Sequence, residues 1–286
     1  MKPSRRSSRI RVAIGLVFVP MLFLLPAPFA VAGSATVSAD PGSVVRWAAP
    51  GTRRCGMNGR SWPAIKEVCY YPIDLLQKPA LLQIGRWGQG PGELATVSVK
   101  PYPYPSQEID LGGIPQAAPT AEDLKRVWRD QAVLNQVWKR RTARRFELPL
   151  GKPADPLPAA SDFGARRVFN GKPATQPHTG ADYALAKGTP LKSVADGTVV
   201  VAADMFFPGN AVFIDHGDGL ISMYFHLDST RVKAGQEVKR GDTIGTVGSN
   251  GRSTGPHLHL GVRWLGARVD PQQLLDDPAK LPSVQP

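Results

Sequence analysis

The sequence predicts a mainly β protein: a small β-sandwich-like module, one connecting helix, then a larger domain of strands and tight turns. Three observations carry this reading. Gly 29 and Pro 28 in 286 residues punctuate the chain at turn density, without a Gly-X-Y period. Short β-branched and aromatic runs bounded by turn signals recur on both sides of residue 120. Helical spacing is carried by one stretch only, beginning at Thr120. No heptad series or 20- to 50-residue repeat is present, which excludes coiled coils and solenoids. An apolar content of 42% excludes a mostly disordered chain.

Residues 1–32 read as an address. Lys2, Arg5, Arg6, Arg9 and Arg11 precede the apolar run Val12 to Leu25, and Ala30-Val31-Ala32 follows. Basic, then apolar, then Ala-x-Ala is the order of a secretory signal peptide, with cleavage expected after Ala32. Pro20, Pro26 and Pro28 interrupt a spanning helix, so stable membrane insertion after cleavage is not expected. Removing this segment lowers the net charge from +12 to +7. With no helix-turn-helix, zinc finger or aromatic ribonucleoprotein motif, the basic excess does not point to nucleic acid.

Residues 33–118 form the expected all-β module. Its strand cores are Val44-Val45-Arg46-Trp47, Leu81-Leu82-Gln83-Ile84 and Ala95-Thr96-Val97-Ser98-Val99. Cys55 and Cys69 are the only cysteines. In an exported chain, with no His nearby, they read as one disulfide pinning a loop-rich module. Residues 119–147 hold the connecting amphipathic helix, about residues 121–145. Thr120 and Asp123 open it as a capping box, and Leu124, Val127, Trp128, Leu134, Val137 and Trp138 keep helical spacing. The basic run Lys139 to Arg145 is expected to complement the helix C-terminus, with the tryptophans packed. Residues 148–160 are a Pro-rich connector, 161–275 the second domain and 276–286 a tail. Within the second domain the strand cores are Thr198 to Val201, Ala211 to Ile214 and Ile221 to Phe225. A Gly217-Asp218-Gly219 turn joins the last two.

All five histidines fall between positions 178 and 259. His178 and Asp182 share a face in either a helix or a strand, and His257 and His259 share a face in a strand. Two imidazoles and one carboxylate make the open three-ligand set of catalytic zinc, leaving two histidines for proton work. His216 precedes a turn and reads as structural.

With these residues the sequence resembles the lysostaphin/LytM-like zinc metallopeptidases, which cut peptidoglycan cross-links. The resemblance covers roughly residues 160–270. It rests on His178-x-Gly180-x-Asp182, His257-x-His259, Ser253-Thr254-Gly255-Pro256, Phe163-Gly164-Ala165-Arg166, Gly209-Asn210 with Asp215-His216-Gly217, and Tyr224-x-His226-Leu227. It implies an antiparallel catalytic sheet with a groove, and one Zn²⁺ per chain held by His178, Asp182 and His259. It further implies that His226 and His257 position the water and stabilise the developing oxyanion. Asn210, Tyr224 and Arg166 are the expected substrate contacts. The implied partner is peptidoglycan, in the periplasm or cell envelope, with any regulatory protein unidentified. Residues 169–177 contain no Tyr, unlike members that cut Gly-Gly bonds, so D-Ala–diamino acid links are the expected target. The alternative is an inactive member that binds peptidoglycan or activates another hydrolase.

Overall fold

The computed structural model describes residues 35–285, so the expected signal segment lies outside the described residues. The first module is two sheets closing on one core. Its five-stranded sheet runs Thr36–Ala39, Glu93–Val99, Ala80–Gly88, Thr52–Met57, Arg60–Pro63 in space. Glu93–Val99 buries every second residue (Ala95, Val97, Val99), as a strand with one solvated face must. The second layer is the antiparallel pair Val44–Ala48 and Val68–Pro72. Val45, Trp47, Tyr71, Ile84 and Val97 fill the space between the layers. Cys55 and Cys69 form a buried disulfide joining one layer to the other. Closing a loop of this length contributes about 3 kcal/mol to the folded state.

The module is continuous with the rest of the molecule. Its Val44, Ile65 and Tyr70 belong to the same core as Phe146, Leu150 and Trp264. The C-terminal residues return to it: Arg46 N–H donates to the Pro282 carbonyl, and Val284 is buried in the module core. Leu150 and Ala154 of the Pro-rich segment are buried too, with Leu150 N–H donating to Leu274 O at 2.7 Å.

The helix is shorter than its pattern predicts. It spans Ala121–Val137, opened by the expected reciprocal Thr120–Asp123 capping box. Residues 140–147 form a strap without regular structure, because tertiary partners there outweigh helical propensity. Arg140 Nε lies 2.9 Å from Asp215 Oδ2, and the Asp215 side chain is only 2% exposed. Thr142 donates to the same carboxylate, and Arg145 N–H donates to His216 O at 2.7 Å. The basic run therefore neutralises a buried acid and braces the 215–219 turn instead of complementing a helix end. The tryptophans also divide. Trp138 packs against Phe213, whereas Trp128 is 75% exposed, contrary to the expected packed stripe.

The second domain is built on a ten-stranded sheet. Its main path runs Glu237–Val238, Gly197–Met205, Gly209–Asp215, Leu220–Thr230, Leu258–Trp264, Gly180–Tyr183, Ala160–Ser161, with every pairing antiparallel. The expected strand cores and the 217–219 turn are all in place. A small fourth sheet joins Ser106–Ile109 in parallel to Arg166–Phe169, which pairs with Lys172–Pro173. This brings a strand from before the helix to the edge of the histidine cluster. Among the described residues no helix is long and apolar enough to cross a membrane.

Candidate metal centre

Sheet register assembles the first three side chains. Asp182 sits directly opposite His259 on neighbouring antiparallel strands, so both project to the same face. His178 lies four residues before Asp182, just ahead of the strand. His178 Nε2 is 2.8 Å from His259 Nδ1 and 3.1 Å from Asp182 Oδ1, and the last two atoms are 3.0 Å apart. His178 Nδ1 lies 2.8 Å from the Asp162 carbonyl, which can only accept. That bond makes Nδ1 the donor and leaves a lone pair on Nε2. Three electron-pair donors thus converge in a buried triangle.

The triangle fits a metal ion. Tetrahedral zinc with bonds of 2.0–2.1 Å places its donors about 3.3 Å apart, close to the separations here. These are also the only three His, Cys, Asp or Glu residues among the described residues grouped tightly enough to hold one. Protonation states favour ligation. Burial pushes the Asp182 carboxyl up, but the adjacent His178 and His259 outweigh it and hold it below the ordinary carboxylate range. Burial pulls His259 down to about 4, so its imidazole is neutral at physiological pH. Gly180 is required by packing: a Cβ there would lie 2.5 Å from His259 Nε2. The ring of His259 fills the space that this glycine leaves.

Two further histidines face the triangle. His226 Nδ1 lies 2.7 Å from Asn250 O, and His257 Nδ1 lies 2.8 Å from Gly255 O. Each bond commits Nδ1 as a donor and leaves Nε2 able to accept a proton. The two rings stand 4.8 Å apart, and His257 Nε2 is 3.7 Å from Asp182 Oδ1. Strict alternation would put His226 on the same side as Tyr224, in the core. Instead His226 has φ +64° and lies where the strand pairing shifts register. That left-handed residue turns its ring into the cluster, a strained conformation of the kind found at functional sites. Burial, with the neighbouring His259 and His257, lowers its pKa to about 3.

The cluster opens into a cleft of about 580 Å³. Gln131, Asn135 and Trp138, on one flank of the helix and its end, form part of the wall. Across it, the Arg252 guanidinium lies between the rings of Phe169 (4.4 Å) and Phe207 (4.6 Å). The expected substrate contacts are placed elsewhere. Tyr224 is fully buried, and its hydroxyl accepts from Val194 N–H, because it faces the core side of its strand. Arg166 points away from the cleft and stacks on Tyr102, while its neighbour Arg167 faces the cluster. Asn210 Nδ2 donates to the Leu227 and Asp228 carbonyls. His216 is fully buried, with partners Asp196 O and Ser222 Oγ, away from the cluster. Sequence reasoning missed Arg167, Phe169, Phe207 and Arg252. Alternation along 166–169 is the signal that could have separated Arg167 from Arg166.

A buried His-Asp-His triangle on an antiparallel sheet, flanked by two more histidines, defines the class of a metallopeptidase. The model of peptidase family M23 matches residues 176–271. A solved structure from Pseudomonas aeruginosa, described as a peptidase M23, is 33% identical. It covers 82% of this chain and 94% of its own, with a TM-score of 0.60. The chain belongs to peptidase family M23. Among curated relatives, the peptidoglycan DD-endopeptidase ShyC of Vibrio cholerae is 38% identical over 136 residues. The peptidoglycan DD-endopeptidase ShyA of the same organism is 43% identical over 111. These matches span 48% and 39% of this chain, but only 30% and 26% of the relatives' lengths.

Proposed function

We propose that this protein is a zinc-dependent endopeptidase that hydrolyses peptide cross-links of bacterial peptidoglycan, at D-Ala–diamino acid bonds. The observation that carries the reading is the convergence of His178 Nε2, Asp182 Oδ1 and His259 Nδ1, with two histidines beside them whose Nε2 atoms are free. In this reading His178, Asp182 and His259 hold one Zn²⁺. Zinc supplies a Lewis acid that polarises the scissile carbonyl and lowers the pKa of water to about 7. His226 Nε2 and His257 Nε2 accept and return the proton and donate to the developing oxyanion. The cleft holds the peptide beside them, and Arg252 in its wall favours a substrate that carries carboxylates.

The names of the DD-endopeptidase relatives and the Tyr-free segment 169–177 support the D-Ala–diamino acid bond as target. The disulfide supports an oxidising compartment, the periplasm or cell envelope, reached through the signal segment. Purified sacculi incubated with the protein should release monomeric muropeptides from cross-linked dimers. A chelator should stop release, and added zinc should restore it. Binding to sacculi without release would instead identify the chain as an inactive member of its family.

A further inference from the structure

We propose that Arg167, oriented by Gln107, is a positioning residue that makes Asp182 serve the metal through one oxygen only. The inference rests on reading His178, Asp182 and His259 as the ligands. Arg167 Nη2 lies 2.6 Å from Asp182 Oδ2, while the other oxygen, Oδ1, faces His178 and His259. Both side chains are largely buried, at 17% and 15% exposure, so the pair is poorly screened by water. A carboxylate with both oxygens free can chelate a metal through two bonds. With Oδ2 committed to the guanidinium, Asp182 occupies one coordination position and leaves the others for water and substrate.

The orientation of Arg167 comes from outside the stretch that matches the family. Gln107 stands opposite Arg167 in the parallel pairing of Ser106–Ile109 with Arg166–Phe169. Its Oε1 accepts from Arg167 Nε at 3.3 Å, and its Nε2 donates to Asp162 Oδ2 at 3.1 Å. The Asp162 carbonyl in turn fixes the His178 tautomer. One glutamine, contributed by a strand that precedes the helix, therefore stands behind two of the three ligands. Groups that orient ligands in this way typically change metal affinity by about 10–100-fold when removed.

The test uses the full chain, with zinc affinity measured by competition against a chromophoric chelator. Visible absorption of the Co²⁺-substituted protein reports coordination number. Arg167→Met should weaken zinc binding by about 10–100-fold and diminish the cobalt bands, as Asp182 gains its second bond and coordination number rises. Arg167→Lys should be affected less, because an ammonium still engages one oxygen. Gln107→Leu, at the outer end of the contact, should shift both readouts in the same direction by a smaller factor. Should Arg167→Met fail to fold, the Lys and Gln107→Leu variants carry the test. Cobalt bands of native position and intensity in Arg167→Met overturn the inference, because Asp182 then keeps one bond without the guanidinium. Accompanied by a loss of zinc affinity, that result would mark general loosening. Asp182→Ala is the separate control. If it binds zinc as native does, the ligand reading has failed, whatever Arg167 does.

Discussion

Replacing His178, Asp182 or His259 by alanine should empty the site and abolish cleavage together. Each supplies one corner of a triangle whose atoms lie 2.8–3.1 Å apart, and among the described residues these three are the one His/Cys/Asp/Glu group close enough together to hold an ion. A two-ligand remnant competes poorly with water for zinc. Zinc content should fall from one per chain towards zero. The rate should fall at least about 10³-fold, because the metal stabilises transition-state charge by several kcal/mol. Elemental analysis beside muropeptide release measures both. A variant that keeps its zinc and loses only activity would remove that residue from the ligand set.

Changes at His226 and His257 should give the opposite pattern. His257→Ala removes an imidazole whose Nδ1 is held by Gly255 O and whose Nε2 points towards the triangle. For His226 the informative change is Asn, which tolerates the left-handed backbone at φ +64° better than Ala does. Zinc should stay near one per chain while the rate falls on the order of 10²–10⁴, the usual cost of losing a proton carrier or an oxyanion donor. His216→Gln is the comparison, since His216 is buried against Asp196 O and Ser222 Oγ and is not part of the His178–Asp182–His259 group. It should alter zinc content and rate little. Loss of zinc in the His226 or His257 variant, with retention in His178→Ala, would invert the assignment of roles.

Spacing made much of this site legible. An i, i+4 pair before one strand and an i, i+2 pair on its neighbour need only a register to meet, and Asp182 opposite His259 supplies it. Local pattern failed where tertiary contacts decide. The resemblance implies that Tyr224 and His226 both serve the site, but Tyr224 is buried in the core while the bulge and positive φ at His226 turn its ring to the cleft. Helical spacing ran past Val137, but buried Asp215 draws Arg140 and Thr142 into an irregular strap. Alternation can place Arg167 on the cleft side but not its partner Gln107, which lies 60 residues away on a strand brought alongside by a parallel pairing. The Pro-rich segment has the composition of a connector, yet its Leu150 and Ala154 are buried in the core.

Zinc K-edge X-ray absorption of the zinc-loaded protein tests the central claim most directly. The account predicts one zinc with two imidazole donors at about 2.0–2.1 Å and oxygen in the remaining positions. His226 and His257 stay outside the coordination sphere in that result, free for proton work. Three or four imidazoles bound to the metal would contradict it, because the residues assigned to the proton would then be ligands.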